Sequence, residues 1–331
     1  MRPDLLPLLR CPDCGAPLEG DPEVELHCSH GQLLEVRRGA LFALTQVTED
    51  IRAQLAENLR ERTGQLAPEE QSAYERNISQ IGIETYNELI RDNLHGALAE
   101  IGLKAGGRSL DIGGGSGWLA VEMAKAGYFA VSLDLQDPWE REEQVAAGDA
   151  VRGFQLVTDL NPDLDDVPVD YVVGDMHRMP FADEIFDVVT MSAALHHAED
   201  PVRTLAEASR VLKPDGVLLL INEPVKGVFR DEAPILGGRG EGAGEHIYWA
   251  GDYKRLFRKA GLRPRFLFPG WVDNRLRQRR FDGVVYYPMV RRLAALAWSA
   301  PPIRATIRGP LFRPLQDLFG LTLIAAARKD R

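Results

Sequence analysis

Residues 110–117 read LDIGGGSG: Asp111 follows a short apolar run, glycines stand at 113, 114, 115 and 117, and a helix-like segment opens at Trp118. Glycine admits positive φ and lets the backbone approach a ligand with no Cβ in the way, and a helix N-terminus presents N–H groups without intrahelical partners. A small polar ligand suits such a turn. Spacing narrows the choice. Counted from Gly113, the pattern G-x-G-x-x-G reaches Trp118 where a dinucleotide site needs glycine, and the Lys-Ser/Thr that ends a phosphate loop is missing. The pattern that fits is D-x-G-x-G-x-G.

Two other groups of residues carry chemistry. C-P-D-C places Cys11 and Cys14 where both thiolates reach one ion, and the ligand-rich turn His27-Cys28-Ser29-His30 follows. These are the chain's 3 cysteines, so the remainder has no disulfide framework, and an odd, clustered set points to metal. Farther on, His196-His197 close an apolar run, and His246 ends the glycine-rich stretch GGRGEGAGEH. A histidine that titrates near neutrality can take the proton from an oxygen or nitrogen nucleophile, and of the three we favour His197 or His246.

The elements that position these residues alternate in type. A strand enters the glycine turn and a helix, Trp118 to Lys125, leaves it, stopped by Gly127. A strand from Tyr128 to Leu135 carries Asp134, which lies where a Rossmann-like unit places a carboxylate for ribose hydroxyls. Residues 136–168 exceed one crossover and are read as a helix near 138–147 plus an insertion. Next come a strand ending at Gly174-Asp175-Met176, a strand from Ile185 to Met191, a helix from Asp200 to Leu212, and the turn LKPDG into a strand from Val217 to Asn222. A helix from Asp252 to Lys259 and strands at 265–268 and 321–327 complete the series. Ahead of it, residues 47–104 read as a helical bridge, with Tyr74, Ile78, Ile81, Tyr86, Leu89, Ile90 and Leu94 at helical intervals.

Taken together, D-x-G-x-G-x-G, Asp134 and the segment GDMHRMPF resemble the S-adenosylmethionine-dependent methyltransferases of the Rossmann-like class, in the small-molecule branch that includes quinone-biosynthesis enzymes. The resemblance covers some 65 residues from Asp111. It implies an α/β fold: a seven-stranded sheet with helices on both faces and the last strand antiparallel. It also implies a donor site of Asp111, Gly113, Gly114, Gly115, Gly117, Asp134, Leu135, Asp175, Met176 and Ser192. In it Asp175 accepts the adenine amino group and Met176 gives a backbone N–H and an apolar contact, while Asp187 is structural. Helices before the first strand close over the site in such enzymes, which brings Tyr74 or Tyr86 towards the pocket. The N-terminal residues 1–46 are similar to the small zinc ribbons ahead of some bacterial methyltransferase domains, with Cys11, Cys14, Cys28 and His30 as the implied structural Zn2+ ligands and His27 as a substitute fourth. Domain boundaries follow at 1–46, 47–104 and 105–331.

Composition fits that reading. With 331 residues, 45% hydrophobic and 27% charged, the chain is long enough for one large α/β domain and an appendage. Its formal charge of −10 argues against a general nucleic-acid binder, and no apolar stretch is long enough for a membrane span or signal core, so a cytoplasmic location is expected. Residues 273–318 invert the charge, with nine arginines against three aspartates. That insertion suits an anionic or lipid-linked acceptor, a peripheral membrane contact or RNA phosphates, or else forms a solvated face over its own aromatic residues. The expected activity is methylation of a small or lipid-linked metabolite. The alternatives are a ribosomal-RNA base methyltransferase and a donor-binding scaffold without activity.

Overall fold

The computed structural model describes residues 1–62, 83–103, 106–115, 117–139, 168–228, 246–278, 296 and 298–330. The expected helix near 138–147, the Tyr74, Ile78 and Ile81 positions, the side chain of Tyr86, and the glycine-rich stretch before His246 lie outside the described residues.

From the N-terminus, the strands are β1 (Leu18–Asp21), β2 (Glu25–Cys28), β3 (Leu33–Arg37), β4 (Ala40–Phe42), β5 (Arg108–Ile112), β6 (Phe129–Asp134), β7 (Val169–Val173), β8 (Phe186–Ser192), β9 (Leu212–Glu223), β10 (Leu262–Phe266) and β11 (Leu323–Lys329). The helices are α1 (Glu49–Arg62), α2 (Ile83–Ile101), α3 (Trp118–Lys125), α4 (Pro201–Val211), α5 (Ala250–Lys259), α6 (Gly270–Gln278), α7 (Pro301–Arg308) and α8 (Phe312–Phe319). They form one sheet in the order β1-β2-β3-β4-β7-β6-β5-β8-β9-β11-β10. The expected seven strands, β7 to β10 in this order, are present, and β11 runs antiparallel to both β9 and β10. The sheet is larger than expected because the N-terminal strands join it. Ala40-Leu41-Phe42 pair in parallel with Tyr171-Val172-Val173, covering what would be an open sheet edge.

Burial explains the central strands. Parallel strands covered on both faces are buried without alternation, as are Ser109 to Ile112 of β5 and Val188 to Met191 of β8. Alternate residues of β9 serve opposite faces. Val217, Leu219 and Ile221 pack with Leu94 of α2 and Leu119 and Met123 of α3, whereas Leu218 and Leu220 join Leu110, Val131 and Val189 on the other face. The second cluster also contains Leu5, Leu9, Leu18 and Leu26, so the N-terminal strands share the main core.

Helix α4 opens as its sequence dictates, with Pro201 in the first turn and the Asp200 carboxylate accepting from Val202 N and Arg203 N at 3.0 Å each. Strand β9 begins directly after it at Leu212, earlier than the expected Val217. Its register against β8 jumps from Phe186↔Leu212 to Val188↔Val217, so the KPDG residues are taken up in a bulge. Among the described residues no helix is long and apolar enough to cross a membrane.

Candidate functional site

Strand order reverses between β5 and β8, whose neighbours lead outward in opposite directions, and ligands in open α/β sheets bind at the carboxyl ends beside such a switch point. The glycine turn lies there. Gly113, Gly115 and Gly117 have φ of 69°, 55° and 82°, and Gly117 caps α3 in the left-handed conformation. The turn is pinned by Gly113 N to Leu133 O at 2.8 Å and Gly117 N to Gly114 O at 2.8 Å. Cβ atoms at three positions would collide with neighbours: 2.6 Å from Ala194 Cβ at Gly113, 2.1 Å from Ser132 Oγ at Gly114, and 2.8 Å from the Tyr171 ring at Gly117. At Gly115 nothing lies within 4 Å. The turn is therefore pressed against protein on three sides and open at Gly115, a fit for a ligand approaching the backbone there.

Three carboxylates surround the turn in different roles. Asp134 ends β6 and binds Gly115 N through Oδ2 and Gln136 N through Oδ1, at 2.8 and 2.9 Å, fixing the direction of the loop's open side; Leu135 follows directly. Asp111 is buried beneath the turn and accepts from Thr190 Oγ1 at 3.0 Å. Burial, with the nearby Asp134 charge, pushes its carboxyl up to about 7 although the Thr190 bond opposes this. Asp175 follows β7, and its Oδ1 accepts from both His177 N (2.8 Å) and His177 Nδ1 (2.7 Å). The other ring nitrogen, Nε2, accepts from Asp200 N at 3.2 Å, which assigns the proton to Nδ1. Burial would raise Asp175, but these bonds and the Arg178 charge hold it below the usual carboxylate range. Met176 is buried in the main core. Asp187 accepts from Arg108 N and Lys213 Nζ at 2.8 Å each.

On the other side of the switch point, sequence reading missed the central residue. Glu223, at the end of β9, is fully buried; Oε1 accepts from Ala194 N (2.7 Å) and Leu195 N (2.8 Å), and Oε2 meets His196 Nδ1 at 3.0 Å. The Tyr253 hydroxyl, 3.3 Å from Oε2, also donates to Pro224 O at 3.0 Å. Burial foremost, and then the Glu223 charge, raise the Tyr253 hydroxyl well above its ordinary value. The available signal was a carboxylate two residues after the apolar run Val217 to Ile221.

The structure brings the three candidate histidines together. His196 is buried, its ring centroid lies 4.1 Å from that of His197, and its carbonyl accepts from His246 N at 2.7 Å. Burial, reinforced by His196, holds His197 well below its ordinary pKa, so it is neutral at pH 7. The His246 side chain is exposed. Ser192 accepts from Asn222 Nδ2 at 3.2 Å, and Asn222 accepts from Asn93 Nδ2 at 2.6 Å, which ties the end of β8 to α2.

The three sulfurs of Cys11, Cys14 and Cys28 lie within 4.8 Å of one another, and Cys14 and Cys28 are 3.7 Å apart. Tetrahedral zinc with bonds of about 2.3 Å separates its sulfurs by about 3.8 Å, so the spacing fits. Burial raises the Cys11 thiol, while backbone N–H groups of Gln32 and His30 overcome burial at Cys28 and lower it. His30 lies outside this cluster of sulfurs, exposed, with Nδ1 3.4 Å from Ser29 Oγ and a single residue between it and Cys28. His27 does not join either; its ring lies against Gly20. Among the described arginines of 273–318, Arg308 bonds Asp273 and Arg313 lies over the Phe266 ring, so part of that charge is engaged within the fold.

Residues 110–220 match a family model described as a methyltransferase domain. The chain is 32% identical over 132 residues to a demethylmenaquinone methyltransferase of Renibacterium salmoninarum, covering 39% of this chain and 48% of the relative. It is 36% identical over 120 residues to a ubiquinone/menaquinone biosynthesis C-methyltransferase of Roseobacter denitrificans, covering 36% and 43% respectively. With these two the match thus spans less than half of the relative's length. A longer match, 30% identical over 216 residues, covers 61% of this chain and 71% of a 27-O-demethylrifamycin SV methyltransferase of Amycolatopsis mediterranei.

Proposed function

We propose, from the premise that this chain belongs to the S-adenosylmethionine-dependent methyltransferases, that it methylates a small or lipid-linked metabolite at a nucleophile activated by His196. The observation that carries the reading is the contact between Gly113 and Ala194: it seats the glycine turn directly against the segment that bears His196 and Glu223. On this reading the donor-binding and proton-accepting groups would be neighbours.

Gly113 to Gly117, Asp134, Asp175 and Met176 would hold the donor, with Asp111 supporting the turn from below. When bound, S-adenosylmethionine supplies an electrophilic methyl group on a sulfonium. The protein's part is to align the acceptor, exclude water and take a proton. A carboxylate at Glu223 would orient the His196 ring through Nδ1 and stabilise the cation formed when His196 takes up the acceptor's proton. His197 and His246 flank this group. The named relatives are a carbon methyltransferase and an oxygen methyltransferase, and both kinds of acceptor lose a proton on methylation. Cys11, Cys14 and Cys28 would hold a structural Zn2+.

Incubation with methyl-labelled donor and fractionated cell extract tests the assignment. Label should enter the organic-soluble small-molecule fraction. Label confined to RNA would contradict it.

A further inference from the structure

The N-terminal segment does more than extend the sheet. Where the GDMHRMPF loop turns back towards β8, Arg10 N donates to Pro180 O at 2.9 Å and Ala182 N donates to Leu8 O at 2.8 Å, closing an antiparallel bridge between Leu9 and Phe181. Leu5, Leu9 and Phe181 pack in one core with Met176 and Met179 of the same loop. The residue after Arg10 is Cys11, whose N bonds Ala16 O and whose carbonyl accepts from Gly15 N, at 2.8 Å each. The thiol turn thus starts where the bridge to the loop ends.

A side-chain path runs alongside. Asp13, between Cys11 and Cys14, accepts through Oδ1 from Arg178 Nη1 at 3.2 Å and also from Thr45 Oγ1 and Gln46 Nε2 at 3.0 and 3.1 Å. Arg178 lies three residues after Asp175 and its charge favours the ionised form of that carboxylate. From the other side, Ala43 N donates to Val173 O at 2.7 Å, one residue before Gly174. Residues 173–182 are therefore gripped at both ends by the segment that the three sulfurs organise.

We propose that a metal held by Cys11, Cys14 and Cys28 sets the affinity of the donor site, acting through the 8–10 to 180–182 bridge and through Asp13 and Arg178 as positioning residues for Asp175. The inference rests on the reading of Asp175 as part of the donor site. A turn tied by metal fixes the backbone from Arg10 to Cys14, and so removes freedom from the loop that must present Asp175. The sulfurs touch neither reacting group, so the coupling falls on donor binding and leaves the methyl-transfer step alone.

The experiment titrates S-adenosylhomocysteine calorimetrically into the full-length protein as purified, after metal removal by a chelator, and after return of Zn2+. Hydrogen exchange of the 174–182 amides is followed in each state. We expect at least a tenfold loss of affinity on removal, faster exchange at 174–182, and recovery of both with Zn2+. Asp13→Ala should raise the donor KM about threefold with kcat within twofold, the scale of an exposed ion pair, and Asp13→Glu should restore it. Absence of zinc binding, or equal affinity with and without metal, would overturn the inference while leaving the donor site intact. If metal removal unfolds the whole chain, the Asp13 pair decides: no KM change in Asp13→Ala overturns the proposal. Failure of the untreated protein to bind S-adenosylhomocysteine would instead overturn the donor reading itself.

Discussion

On the β5–β6–β7 side of the switch point the ligand-facing surface is made of backbone: positive-φ glycines, N–H groups, and an open space at Gly115. On the β8–β9 side it is made of buried polar side chains, with Glu223 joining two backbone amides, His196 and Tyr253. The first half has no room for a Cβ at Gly113, Gly114 or Gly117 and is open only at Gly115. The second works by charge, and a substitution that keeps its shape while changing its charge should still disable it. Ala194 belongs to both, touching Gly113 with its side chain and Glu223 with its amide.

The largest effect that separates the halves is expected at Gly113. Gly113→Val would place a branched side chain at a φ of 69° with its Cβ 2.6 Å from that of Ala194. The combined conformational and steric cost is about 3 kcal/mol. Calorimetry should show donor-product binding weakened by at least about a hundredfold in a protein whose circular dichroism still reports an α/β fold. Wild-type affinity would break the shape argument.

Asp111 sharpens the comparison, because it is a buried charge-capable group on the backbone side. Its folded pKa, about 7, stands above its ordinary value of 3.8, so the fold keeps a proton that the unfolded chain releases. Stability should therefore fall as pH rises from about 4 to about 7, by up to about 4 kcal/mol, and Asp111→Asn should flatten that slope. Melting temperatures measured across the interval give the answer, and parallel slopes in the two proteins would reject it.

The smallest effect is expected at the boundary between the halves, where Asp200 caps α4. Asp200→Ala should cost about 1 kcal/mol in chemical denaturation, with donor-product affinity within twofold. A larger loss of affinity would mean that the two halves are coupled through this cap.

The backbone half was legible in the sequence and the charge half was not. A glycine needed for positive φ is written in one letter, so the turn and Asp134 could be placed from spacing, and the Gly174-Asp175 segment from its resemblance to the family. Glu223 lies 27 residues beyond its partner His196 in the chain, and its partnership exists only because β8 and β9 are neighbours. Without it, His197 and His246 looked at least as suitable as His196. The sheet's extension was hidden for a similar reason: β4 is three residues long, too short for a period, and pairs with a strand some 130 residues away. His30 was chosen by ligand type near Cys28, and it lies exposed, outside the cluster of sulfurs.

Glu223→Gln tests the division most directly. The amide keeps the volume and one acceptor oxygen, but it removes the charge that meets His196 Nδ1. We predict kcat lower by about a hundredfold, with S-adenosylhomocysteine affinity within about threefold of wild type. A variant with full turnover, or one that loses donor affinity in step with kcat, would contradict the separation of a backbone-built donor site from a charge-built acceptor site.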